Sequence, residues 1–142
     1  MSANRYPIFV REPDVQWAES MVTANNTVDL TSGTSYLLFT ADVAEGGYVK
    51  EVTVRPNPAA NTAATVFRLW INNGGTIGTA SNSAIYKEVS IPATTASASA
   101  AQFDIVIPLD LPLPAGYRLF ATLGTAPGGS GEFTAVAVGG KY

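Results

Sequence analysis

The apolar residues of this chain recur at every second position. That is the period of a β-strand with one buried face, not the 3.6-residue period of an amphipathic helix. In Val66–Ile71, Phe67, Leu69 and Ile71 share one face, while Val66, Arg68 and Trp70 share the other. Phe103, Ile105 and Ile107 alternate with Asp104 and Val106. Ile85, Lys87, Val89 and Ile91 alternate with Tyr86, Glu88 and Ser90, and Tyr117, Leu119, Ala121 and Leu123 with Arg118, Phe120 and Thr122. Glu132–Val138 reads as a last strand with Phe133, Ala135 and Ala137 on one side; Val15–Thr23, Tyr36–Val43 and Tyr48–Arg55 read as earlier ones. The phase slips near Lys50-Glu51, which predicts a β-bulge. Pro13–Met21 has a faint helical stripe at Val15, Ala18 and Met21, but it is short and reads as strand.

Turn residues separate these runs: Glu45-Gly46-Gly47, Pro56-Asn57-Pro58, Asn72-Asn73-Gly74-Gly75, Pro114-Ala115-Gly116 and Pro127-Gly128-Gly129. About eight strands in 142 residues predict an all-β, two-sheet antiparallel sandwich. A jelly-roll topology is favoured over an immunoglobulin-like one, because eight strands and long crossover loops suit it. Segments 56–65, 74–83 and 92–101 are the expected crossovers. The domain is expected over residues 15–142, preceded by an N-terminal arm, 1–14. Pro7 denies that arm a backbone donor. Its apolar knot of Tyr6, Ile8 and Phe9, bracketed by Arg5 and Arg11, is expected to bind a partner.

Composition narrows the chemistry. The chain holds no cysteine and no histidine, which excludes disulfides, thiolate or imidazole metal sites and Ser-His or Cys-His nucleophile pairs. The eleven carboxylates are scattered, with no calcium-loop cluster, and no phosphate-cradling glycine motif occurs. Asp42 and Glu45 form the nearest loop pair, and solvation of a hairpin accounts for them. Asn25-Asn26-Thr27 matches a glycosylation sequon and reads as a turn. No enzymatic role, cofactor or metal is therefore expected. The eight cations are spread singly and the net charge is −3, so nucleic acid is a poor partner. No apolar run is long enough to span a membrane, and the first apolar stretch is too short for a signal peptide, so synthesis in a host cytoplasm is expected. Only 13% of residues are charged, which suits close subunit contacts. Trp70, with Val66, faces either the core or a subunit interface.

Pro108-Leu-Asp-Leu-Pro-Leu-Pro-Ala-Gly-Tyr-Arg-Leu119, then Phe120–Thr125, then Phe133-Thr-Ala-Val-Ala-Val-Gly-Gly-Lys-Tyr142, resembles small all-β structural proteins of tailed bacteriophages. Gly46-Gly47-Tyr48-Val49 and Arg68-Leu69-Trp70-Ile71-Asn72-Asn73-Gly74 are similar to early strands of that group. The resemblance implies a jelly roll and a virion location. It implies a capsid decoration (cement) protein, often a homotrimer, whose partners are the major capsid protein and sister subunits. A head-fibre or tail accessory role fits the same pattern. A carbohydrate-binding or adhesin-type sandwich is the competing class, and it expects an exposed aromatic row.

Folding is expected to require no metal. Melting curves with and without a chelator should coincide, and a fall of more than a few degrees is the contrary result.

Overall fold

A computed structural model describes residues 10–142. Eight strands form in chain order: β1 (Glu12–Met21), β2 (Tyr36–Thr40), β3 (Gly47–Pro56), β4 (Thr65–Asn72), β5 (Ser83–Ile91), β6 (Ile105–Leu113), β7 (Arg118–Leu123) and β8 (Phe133–Lys141). A short 3-10 turn covers Ala80–Asn82. Two four-stranded sheets are ordered β1-β8-β3-β6 and β2-β7-β4-β5, and every neighbouring pair is antiparallel.

The pairs β1–β8, β2–β7, β3–β6 and β4–β5 are those of one long hairpin wound around a barrel-like core. That winding is the jelly roll of two Greek keys, whereas the immunoglobulin sandwich groups its strands as ABED and CFG. Every connection but one carries the chain from one sheet to the other. The exception is 73–82, where β4 and β5 pair directly from Thr65↔Ile91 to Asn72↔Ser83. The segment expected as a crossover at 74–83 is thus a hairpin loop.

The alternating residues fill the space between the sheets. Phe133, Ala135 and Ala137 of β8, Val49, Val52 and Val54 of β3, Phe67 and Leu69 of β4, and Leu119, Ala121 and Leu123 of β7 are buried in one cluster. Each large side chain fully buried contributes roughly 1.5–3 kcal/mol. The bulge expected near Lys50-Glu51 is present, as a register shift between Val49 and Glu51 against both β6 and β8. A second shift, between Leu69 and Trp70, skips Tyr86 on β5, so Ile85 turns to the outer face with Glu88 and Ser90.

Two expected boundaries change. Strand β1 starts at Glu12, and the Arg11 N–H donates to the Lys141 carbonyl at 2.8 Å. Residues 10–14 therefore belong to the sandwich and not to a separate arm, and residues 1–9 lie outside the described residues. Strand β6 continues past Ile107 through Pro108 and Pro112 to Leu113. Proline suits it because β6 is an edge strand, where a missing N–H costs no ladder bond.

The sandwich's two seams are closed by side chains. Gln16 of β1 donates from Nε2 to the Thr40 carbonyl of β2 at 2.9 Å, and its Oε1 accepts the Thr40 N–H at 2.8 Å. On the opposite seam, Lys87 Nζ of β5 donates to the Pro108 carbonyl of β6 at 2.9 Å.

At Gly139, β8 passes so close to β3 that a Cβ would run into the Tyr48 carbonyl. Gly139→Ala is therefore expected to destabilise the fold by about 1–3 kcal/mol through overpacking. Gly124→Ala, whose Cβ would meet nothing closer than 3.4 Å, should stay within about 1 kcal/mol. Denaturant midpoints of the two variants test this ordering.

Candidate interaction surface

Each sheet has an outer face, and the two are treated differently. On the β2-β7-β4-β5 sheet, register places Leu37, Phe120, Trp70 and Ile85 in one row across the strands. The chain between β1 and β2, residues 22–35, folds back over the middle of this row, at Trp70 and Phe120, and leaves Leu37 and Ile85 at its ends 47% and 48% exposed. Leu30, Trp70 and Phe120 form a second, smaller core there, with Ile77 packed against it. Trp70 is 2% exposed, and its Nε1–H donates to Thr122 Oγ1 at 3.0 Å, so the indole's polar atom is satisfied. The Arg118 guanidinium lies 5.3 Å from the Phe120 ring centroid and donates to Asn72 Oδ1.

Polar contacts fasten the covering segment. The buried Asn25 donates from Nδ2 to the carbonyls of Ser32 and Thr34, at 3.1 and 3.0 Å. Its Oδ1 accepts the Thr27 N–H and hydroxyl, and its own N–H donates to the Leu123 carbonyl. The sequon is thus a structural turn whose acceptor nitrogen is engaged. Asn26 Nδ2 donates to the Gly124 carbonyl, while Arg68 donates from Nη1 to Asn26 Oδ1 and from Nε to Glu88.

The outer face of the β1-β8-β3-β6 sheet carries no such segment. Here Trp17, Val136, Thr53 and Val106 form a row, each opposite the next in register. A second row holds Val15, Val138, Glu51 and Pro108. Trp17 is 59% exposed, Val106 49% and Val15 47%. A band of apolar and hydroxyl side chains with few charges thus lies open to solvent.

Of the residues singled out from the sequence, three are described: Val66 and Trp70 lie on β4, while Arg11 sits beside β8 in the other sheet. Arg5, Tyr6, Ile8 and Phe9 lie outside the described residues. Arg11 forms an exposed ion pair with Glu45 at 2.6 Å, a contact worth at most about 1 kcal/mol. Val66 is half-buried, and its carbonyl accepts the Gly124 N–H. Trp70 belongs neither to the main core nor to a free surface: its own chain covers it. Thr53, Val106 and Val136 carry no sequence signal beyond strand alternation, and Trp17 stands out there only as one of the aromatics a sugar-stacking platform would use. Their outward parity was readable, but which sheet would stay uncovered was not.

The remaining candidate chemistry is structural. Asp42 Oδ1 accepts the N–H groups of Ala44 and Glu45, at 2.9 and 3.0 Å, and these bonds hold its carboxyl below the ordinary aspartate range. Tyr48 donates its hydroxyl to Asp110 Oδ1 at 2.6 Å, which raises the phenol above its ordinary value. Among the described residues no three Asp or Glu side chains gather as a metal-holding group. A hollow of about 530 Å³ at one end of the sandwich is lined by Ala59, Ala60, Ala63, Ala96, Pro127 and Ser130 among others and offers no charged group. No helix of the described residues is long and apolar enough to cross a membrane.

No family model and no curated protein matches the chain. Among solved structures, a chain of the structure of infectious bursal disease virus Gt strain is similar at 14% identity and a TM-score of 0.31. The match covers 93% of this chain and 34% of that one, so this chain spans about a third of its length.

If Leu30 holds residues 22–35 over Trp70, Leu30→Ala should cost about 2–4 kcal/mol. Water reaching the indole should also shift its emission to the red. An unchanged spectrum and midpoint would show that the covering segment is held by its polar contacts alone.

Proposed function

We propose that this chain is a non-enzymatic structural protein of a virion. In this reading it is a decoration (cement) protein on the outer surface of a tailed-phage head, with the major capsid protein and sister subunits as partners. The observation that supports the reading is the open face of the β1-β8-β3-β6 sheet. It offers a broad, weakly charged surface on a rigid two-layer scaffold, and a protein that acts by covering another protein needs area rather than a cleft. The sequence resemblance supports the same reading.

Two other classes are less well supported. A carbohydrate-binding module uses a row of exposed aromatics, yet Trp17 and Tyr86 lie on different sheets. Nucleic-acid binding uses a continuous basic face. Here Arg11 pairs with Glu45, Arg68 with Glu88 and Asn26, and Arg118 with Asn72 and Gly75.

In gradient-purified particles of the phage that encodes it, the chain should be present in stoichiometric amounts. Recombinant protein should sediment with heads that lack it. Absence from purified particles would overturn the reading.

A further inference from the structure

The open sheet face carries its charges in a particular order. Strand β3 presents Glu51, Thr53 and Arg55 outward at successive alternate positions. Thr53 lies in the row with Trp17, Val136 and Val106, and Glu51 and Arg55 flank that row on either side.

Consider a second copy laid face to face about a two-fold axis along this row. The axis lies in the plane of contact and keeps the order of strands, so β3 stacks antiparallel on β3 of the second copy. Thr53 then meets Thr53, and a residue n positions before it meets the residue n positions after it. Glu51 meets Arg55 twice, once on each side of the axis. Lys50, in the bulge, falls opposite the buried Pro56, and Glu19, at the corner of the face, falls opposite Val15. Asp104, level with Arg55 just before β6, falls opposite Pro108, so no like charges oppose each other directly. Turning the axis to run along β3 would instead set Glu51 on Glu51 and Arg55 on Arg55. Sheets stack about 10 Å apart, a gap that Glu and Arg side chains span together.

We infer that the outer face of the β1-β8-β3-β6 sheet is a self-complementary interface for a second copy of this chain, joined across Trp17, Val136, Thr53 and Val106 and ordered by reciprocal Glu51–Arg55 pairs. Such an interface is isologous and closes at two copies. It therefore differs from the homotrimer that the resemblance implies, and, because it takes up the open face, a copy paired in this way does not lay that face on a capsid at the same time. Four strands about 4.8 Å apart, over about seven residues each, offer roughly 450 Å² of flat area per copy. The two copies together bury roughly 900 Å², below the roughly 1,200 Å² at which standard specific interfaces begin, so the dimer is a weak, reversible one that fills only at high protein concentration.

The test uses the isolated full-length chain. Light scattering over a concentration series should climb from 14.8 kDa towards twice that mass. Over the same range Trp17 emission should move to the blue as the indole leaves water, and the shift should disappear in Trp17→Phe. Glu51→Arg turns both attractive pairs repulsive and should weaken association by about tenfold or more. Glu51→Arg combined with Arg55→Glu restores opposite charges across the axis and should return the affinity to within about threefold of the unmodified chain. Circular dichroism melts of each variant separate lost pairing from lost folding. A monomer that persists to about 1 mM overturns the proposal. So does a trimeric mass, or a double exchange that leaves the association as weak as Glu51→Arg alone.

Discussion

Two stacked sheets have four faces, and one packing contact buries only two of them. The remaining two must be covered by other chain or left in water. This constraint organises the molecule. The inner faces meet through Phe39, Phe67, Phe133 and the aliphatic residues around them. One outer face is roofed by residues 22–35, which bury Trp70 and Phe120 under Leu30. The other stays open, with Trp17 as its most exposed large apolar side chain.

The edges of the sheets are guarded more fully than the open face. Gln16 offers β2 an amide in place of a strand, matching both the N–H and the carbonyl of Thr40. Lys87 bridges the opposite seam to β6. Pro108 and Pro112 remove two donors from β6, and the bulge beside Asp110, which has a φ of 46°, bends that strand away from flat pairing. Edge-to-edge association is thereby discouraged, as sheet proteins commonly arrange. Glycine completes the geometry where strands crowd: at Gly139 a side chain would strike the backbone of β3.

The candidate surface was only half legible in advance. Alternation shows that Val15 and Trp17 face away from Ala18, and that Thr53 faces away from Val52 and Val54, because parity is local. It cannot show which sheet the chain between β1 and β2 will cover, since that depends on where residues 22–35 land after folding. Trp70 illustrates the gap. Sequence leaves it between the core and a subunit interface; the fold puts it on the outer side of β4, where its burial comes from Leu30, forty residues earlier, and from Phe120 on a neighbouring strand. Arg11 is a similar case, for its partner Glu45 is brought near only when β1 and the turn after β2 meet at the same end of the sandwich.

By itself, the order of residues determined what period two and turn chemistry can carry: about eight strands, all-β class, the alternating faces of β4, β7 and β8, and the bulge at Lys50-Glu51. These are properties of a residue and its near neighbours, written in side-chain polarity. Tertiary structure decided the rest. It set the pairing of β1 with β8 across most of the chain, the hairpin role of 73–82 and the extension of β6 through its prolines, which an interior strand would not tolerate. It also decided which outer face is roofed and which is bare. Each of these turns on contacts between segments far apart in sequence, whose free energy exists only once both segments are in place.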